Sequence, residues 1–281
     1  MKSTCYLFIL GLIFSLAACN LEQDIEITFP EAENRVVVEC YLEANRPFNM
    51  LITTTAGYFD PFPTTDNQFL ENILVDSAQV IIRHKGIQYG LANQVVFDFS
   101  SRQVFNYHSS QLVPADFDSD FELDIVLPDG STITGVTHIL PAVPLDSVVV
   151  EFKSPTDTLA RVLTYFTDIP NQDNYYRRML HESSLDSLPE QDFVVDDRFV
   201  EDSYVFGTNY DFVVGDTIFN TIFHLTKDHY NFLQSVENAT NANGNPFAQP
   251  SPLISNLEGT AKATGVFTGL NYVRNRMVIE R

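Results

Sequence analysis

From residue 35 to residue 140 no stretch carries apolar residues at helical spacing, while short runs rich in β-branched and aromatic residues follow one another. They are Arg35–Leu42, Met50–Thr55, Ile73–Arg83, Gln94–Phe99, Gln103–Tyr107 and Phe121–Leu127. Such residues fit a pleated, half-buried surface. In Ala78-Gln79-Val80-Ile81-Ile82 and Phe121-Glu122-Leu123-Asp124-Ile125 the apolar residues alternate, which puts them all on one face of a strand. Pro128-Asp129-Gly130 ends one run before Ser131–Ile139 begins: proline presets φ, glycine accepts positive φ, and the chain reverses. His84-Lys85-Gly86 reads as a second turn. Strands without helices must pack sheet on sheet, so residues 35–141 are expected to form an Ig/transthyretin-like β-sandwich.

Pro141-Ala142-Val143-Pro144 breaks the pattern and marks a boundary or a sheet crossover. Strands resume at Ser147–Phe152, Leu159–Asp168, Asn174–Leu180, Ser203–Tyr210 and Asp216–His224. One helix is expected over 226–238. Thr226 caps it, Asp228 suits its positive end, and His229, Phe232, Leu233 and Val236 share a face. A proline-bearing loop then leads to two last strands, Ala263–Leu270 and Tyr272–Glu280. Residues 142–281 are thus expected as a second antiparallel β-domain with one helix.

The start of the chain speaks to location. Lys2 precedes an apolar run from Tyr6 to Leu16, and Leu16-Ala17-Ala18-Cys19 resembles a bacterial lipobox. The run is too short to span a bilayer and reads as a secretory signal, residues 1–18. Cleavage before Cys19 would expose that cysteine to acyl chains such as palmitate, and several chains hold a protein on a membrane better than one. Residues 19–34, with Glu22, Asp24, Glu26, Glu31 and Glu33, read as an acidic flexible tether. That patch resembles the surface-export signal of Bacteroidota lipoproteins. The expected place is the outer membrane, lipid-anchored, on the periplasmic or the cell-surface side with the surface favoured.

Net charge is −21, and −22 once Lys2 leaves, so the body repels nucleic acid and anionic membrane surfaces. Beyond Cys19 only Cys40 remains, in a valine-rich run, which leaves no internal disulfide and points to a buried, inert thiol. Stability must come from apolar packing, to which 23 Phe and 12 Tyr contribute.

Chemistry is sparsely signposted. The six histidines form neither an HExxH motif nor a close cluster with cysteine or carboxylate, so no metal is expected. Asp116, Asp118 and Asp120 alternate as in a calcium loop, but Phe121 stands where glycine belongs and Leu127 where a bidentate Glu belongs, so an acidic turn is the better reading. No GxSxG, phosphate-cradling glycine loop or marked carboxylate pair occurs, and neither an enzymatic role nor a cofactor is expected. Asp-Ser/Thr-apolar tripeptides at Ser77, Ser147, Thr158, Ser187 and Thr217 resemble the sites at which Bacteroidota O-glycosylate exported proteins.

The tail carries a family likeness. Gly244-Asn245-Pro246-Phe247-Ala248-Gln249-Pro250, Ser255-Asn256-Leu257-Glu258-Gly259 and Gly265-Val266-Phe267 resemble the C-terminal signature of the domain of unknown function 4249 family. Val37-Val38-Glu39-Cys40-Tyr41-Leu42 and Asn174-Tyr175-Tyr176-Arg177 fit it as well, in the right order. Between Gly259 and Gly265 the run Thr260-Ala261-Lys262-Ala263-Thr264 replaces a more Gly-rich one. The resemblance implies a Bacteroidota outer-membrane lipoprotein encoded beside TonB-dependent receptors, with no established reaction. Read physically, the tail motif is a stiff, packed connector before it is a binding loop. The expected function is a non-enzymatic accessory or ligand-binding component working with a TonB-dependent receptor. Tyr175, Tyr176, Tyr230 and Phe247, nearest the family motifs, are the candidate contacts. The alternatives are a structural or adhesive surface protein and, behind it, a surface glycan hydrolase.

Overall fold

The computed structural model describes residues 34–55, 73–98, 103–198, 203–242 and 251–281. The signal segment with Cys19, nearly all of the tether, and the Gly244–Pro250 part of the tail motif with Phe247 lie outside the described residues. The protein is mainly β with one helix. Seven strands form the first half: β1 (Val36–Glu43), β2 (Pro47–Thr54), β3 (Gln79–His84), β4 (Ile87–Asp98), β5 (Gln103–Leu112), β6 (Phe121–Val126) and β7 (Thr132–Thr137). Alternation dictates their packing, for in β1, β2, β3, β6 and β7 every second residue is buried. Val38, Cys40 and Leu42 of β1 and Met50 and Ile52 of β2 meet Ile82 of β3 and Leu123 and Ile125 of β6 in one apolar core. That is the expected sandwich.

β4 turns its corner. Residues 87–91 pair with β3 and residues 92–98 with β5, with a register slip between Asn93 and Val96 that bends the strand. The His84–Gly86 turn is real: Lys85 and Gly86 both have positive φ, 48° and 77°, the twist that a two-residue hairpin needs. At Pro128-Asp129-Gly130 the Asp129 carboxylate accepts from the Ser131 N–H at 2.9 Å. Cys40 is fully buried, and burial pushes its thiol pKa well up, so the thiolate is suppressed.

The second half holds β8 (Ser147–Phe152), β9 (Leu159–Thr167), β10 (Tyr175–Glu182), β11 (Gln191–Asp196), β12 (Ser203–Gly207), β13 (Phe212–Val213), β14 (Thr217–Leu225), α1 (Lys227–Ala242), β15 (Leu257–Gly259) and β16 (Ala263–Val278). β9, flanked by β8 on one edge and by β12 and β13 on the other, makes a small sheet. Its Ala160, Val162 and Phe166, with Tyr204 and Phe206 of β12, pack on Tyr176 and Leu180 of β10 and Ile218 and Ile222 of β14. α1 lies on the opposite face of β10 and β14, where Tyr230 and Leu233 meet Phe223, Leu225 and Tyr272. The helix begins as expected, with the Thr226 hydroxyl accepting from the His229 N–H at 3.3 Å, and runs four residues past the expected end.

β16 corrects the reading of the tail. The two expected strands are one, sixteen residues long. Ala263–Leu270 pair in parallel with β1, and Asn271–Val278 pair antiparallel with β14. This joins both halves in a twelve-stranded sheet, β11-β10-β14-β16-β1-β2-β5-β4-β3-β6-β7-β15. The chain changes sheets after Pro141–Pro144, and the described residues from 34 to 281 group together, both halves sharing β16.

Among the described residues no strand pairs with the far edge of Ala263–Leu270; the Gly269 N–H donates to the Thr137 hydroxyl of β7 at 3.3 Å, and the tail motif caps the rest. The Asn256 carboxamide donates to the Phe267 carbonyl at 2.7 Å and accepts from the Phe267 N–H at 3.1 Å, while the Ser255 hydroxyl donates to the Gly265 carbonyl at 2.8 Å. Gly265 lies at φ 123°, and a Cβ there would sit 2.0 Å from the Val38 carbonyl oxygen. These residues of the motif are edge caps and close backbone contacts.

Candidate functional site

Alternation along β10 splits the Asn174-Tyr175-Tyr176-Arg177 motif between two faces. Tyr176 and Arg178 point into the small-sheet core, whereas Tyr175 and Arg177 point to the helix side. Asn174, fully buried, locks the entry to the strand. Its carboxamide donates to the Ile169 carbonyl at 2.7 Å and the Gln172 carbonyl at 3.1 Å, and its oxygen accepts from Gln172 Nε2 at 2.8 Å. Its own N–H donates to Asp197 at 2.6 Å. The loop before β10 and the residue that follows β11 are thereby tied together.

Between this knot and the first turns of α1 lies a groove of about 350 Å³. Tyr175 and Tyr230 form an aromatic wall, ring centroids 4.8 Å apart and tilted 37°. Asp173, Asp196 and Asp197 supply carboxylates, Arg198 and Lys227 cations, and Asn231 and Gln234 neutral hydrogen-bonding groups. The Tyr230 hydroxyl donates to Asp196 at 3.2 Å and accepts from Gln234 Nε2 at 2.7 Å, which fixes the ring. Hydrogen bonding to Arg198 holds the Asp196 carboxyl below the usual carboxylate range, while burial and then Asp196 raise the Tyr230 phenol. A groove so lined can stack a flat or ring-shaped polar ligand and hydrogen-bond around it. Its size is at the lower end of ligand sites, roughly 300–1,000 Å³.

Two of the four candidate contacts, Tyr175 and Tyr230, share this groove. Tyr176 does not reach it: the ring is fully buried against Phe166 and Tyr204, its hydroxyl donates to Asp168 at 2.5 Å, and burial pushes its phenol pKa strongly up. Phe247 lies outside the described residues. The other wall, Asp196 and Asp197 at the end of β11, escaped sequence reading because Asp192-Phe193-Val194-Val195-Asp196 is short and acid-flanked. The one cue was Asn174, an amide buried beside the first motif tyrosine.

Other candidates fall apart as sites. Asp116 is pinned by Lys85 and by His84 Nε2 at 3.2 Å and accepts from the Asp118 N–H, and these hydrogen bonds, Lys85 foremost, hold its carboxyl at about 2. Among the described residues no group of three or more His, Cys, Asp or Glu could hold a metal ion, and no helix is long and apolar enough to cross a membrane. Ser77, Ser147, Thr158 and Ser187 are exposed and Thr217 is half-buried. The Ser187 hydroxyl donates within its own turn, to the Ser184 carbonyl at 2.7 Å.

No curated protein sequence matches the chain. A solved structure titled as a cytokine receptor complex, crystal form 1A, aligns over 86% of this chain and 95% of its own, at 10% identity and a TM-score of 0.26. The family model described as a domain of unknown function, DUF4249, matches residues 22–276. That match covers most of the chain, which belongs to the DUF4249 family.

Proposed function

We propose that this protein is a lipid-anchored envelope component, attached through Cys19 to the outer membrane and favouring its outer side, that binds a ligand or partner in the Tyr175/Tyr230 groove and works with a TonB-dependent receptor. The observation that carries this reading is the groove itself. It sits at a family motif, its aromatic wall is fixed by hydrogen bonds, and Asn174 preorganises it. A non-enzymatic role fits the chemistry of the lining, since Asp196 accepts from Arg198 and Tyr230, Asp197 accepts from the Asn174 backbone, and hydrogen bonding to Arg198 holds the Asp196 carboxyl below the usual carboxylate range. The receptor partnership and the lipid anchor rest on the family likeness and the lipobox resemblance.

Co-purification from gently solubilised membranes of the native host tests the reading. The intact protein is expected to bring down a receptor-sized partner, Tyr175→Ala to lose most of it, and Cys19→Ala to leave the membrane fraction. Recovery of the protein alone, with Cys19→Ala still membrane-bound, would overturn it.

A second reading, a structural or adhesive surface protein, draws on the outer face of the small sheet. There Val149, Leu159 and Val205 are 41%, 43% and 52% exposed on one flat surface. It predicts that Val149→Asp or Val205→Asp, and not Tyr175→Ala, abolishes association.

A further inference from the structure

The chain is acidic at −21, with only 16 Lys and Arg, yet three arginines gather on one face of the large sheet, away from the aromatic groove. Register places them. On β16, Arg274 lies opposite Thr221 and Arg276 opposite Phe219 of β14, while Phe219 in turn faces His181 of β10, two residues from Met179 and four from Arg177. The floor is therefore Phe219 and Thr221, with Arg274 and Arg276 on one side and Met179 and His181 on the other, and Arg177 stands one same-face step along β10, opposite Phe223.

The arginines differ in what they hold. Arg177 makes a fork-to-fork pair with Asp192, Nε to Oδ1 at 2.7 Å and Nη2 to Oδ2 at 2.6 Å, so this carboxylate is spent. Arg274 is anchored by Nε donating to the Thr221 hydroxyl at 2.9 Å, with its guanidinium 4.7 Å from the Tyr272 ring centroid. The Arg276 guanidinium lies 5.9 Å from the Phe219 ring centroid. No described carboxylate forms an ion pair with Arg274 or Arg276. A guanidinium held over a ring keeps its N–H edges for a planar or tetrahedral oxyanion. Same-face neighbours two apart on a strand stand roughly 7 Å from each other, so two such forks can close on one group.

The second observation is His181. It is 6% exposed, and its Nδ1 is a buried nitrogen with no hydrogen-bond partner, the kind of group folded proteins rarely leave unmet. The charged groups acting on it are Arg274 of β16, Asp192 of β11 and Arg177 of its own strand.

We propose that this face is an oxyanion-binding site, in which Arg274 and Arg276 clasp a phosphate or carboxylate group of a ligand above Phe219, with His181 beneath. The site is independent of the aromatic groove, and it gives an otherwise anion-repelling body one place where anions dock.

Nuclear magnetic resonance on the full chain in non-ionic detergent tests it, with ionic strength held constant by sodium chloride. Arms with inorganic phosphate, with acetate, and with phosphatidylglycerol against phosphatidylcholine in mixed micelles with the detergent separate a free anion from a lipid headgroup. Saturable shifts of the Arg274 and Arg276 side-chain N–H and His181 ring signals are expected in at least one anionic arm. Affinity in that arm should fall tenfold or more in Arg274→Gln/Arg276→Gln, and in Arg276→Gln alone should the double variant unfold. The bound anion should also raise the His181 pKa, which sequence-neutral packing would not do. Absence of saturable binding in every arm, or binding that survives Arg276→Gln unchanged, would overturn the proposal.

Discussion

Single polar side chains stand in for missing strand neighbours in this protein, and their loss should be costly. Asn106 is fully buried, accepts from the Ile52 N–H at 2.8 Å, and donates to the Ile52 and Val75 carbonyls, each at 2.9 Å. Asn106→Ala orphans the Ile52 N–H and leaves the Ile52 and Val75 carbonyls with one donor each, the Val75 N–H and the Tyr107 hydroxyl, both at 3.0 Å, so urea unfolding should show a loss of about 1–3 kcal/mol. His229 is the opposite case. It packs against the Tyr41 ring, both its ring nitrogens lack partners, and burial, aided by Arg177, lowers its pKa to about 3. Its folded pKa lies below the unfolded value of about 6.5, so its contribution is complete above that pH and is lost as pH falls toward 3. Between pH 7.5 and 4.5 the expected loss is about 3 kcal/mol, and His229→Phe should flatten that part of the pH profile. His224, also lowered by burial, acts in the same direction.

At the scale of elements, most of the architecture was legible because alternation and turn chemistry are local. The sandwich strands, both turns and the start of α1 follow from spacing, glycine and a capping threonine. What sequence could not show is pairing between distant segments. Ala263–Leu270 and Tyr272–Glu280 read as two strands because each half has its own partner, β1 and then β14, while the backbone between them never breaks. β15 is three residues long and exists because β7 offers it an edge. The tail motif reads as a packed connector, but its Gly265 is a close backbone contact inside β16. Gly265→Ala would drive a methyl into the Val38 carbonyl in a backbone region costly to side chains, so a loss of about 3 kcal/mol or more is expected by thermal unfolding.

Across the whole molecule, one long sheet carries two cores, and its helix-side face presents an aromatic groove at one end of β10 and an arginine cluster toward the other. Half of the groove was legible from the sequence, through Tyr175 and Tyr230 beside a family motif. The rest was not, because facing Asp196 and Asp197 against Asn174 depends on the pairing of β10 with β11. Strand alternation makes the sharpest discrimination available, since Tyr175 and Tyr176 are chain neighbours on opposite faces. A photo-crosslinking residue placed in turn at positions 175, 176 and 149 in the native host should give a specific adduct from 175 and none from buried 176. An adduct from 149 with none from 175 would contradict the groove as the place where this protein meets its ligand or partner.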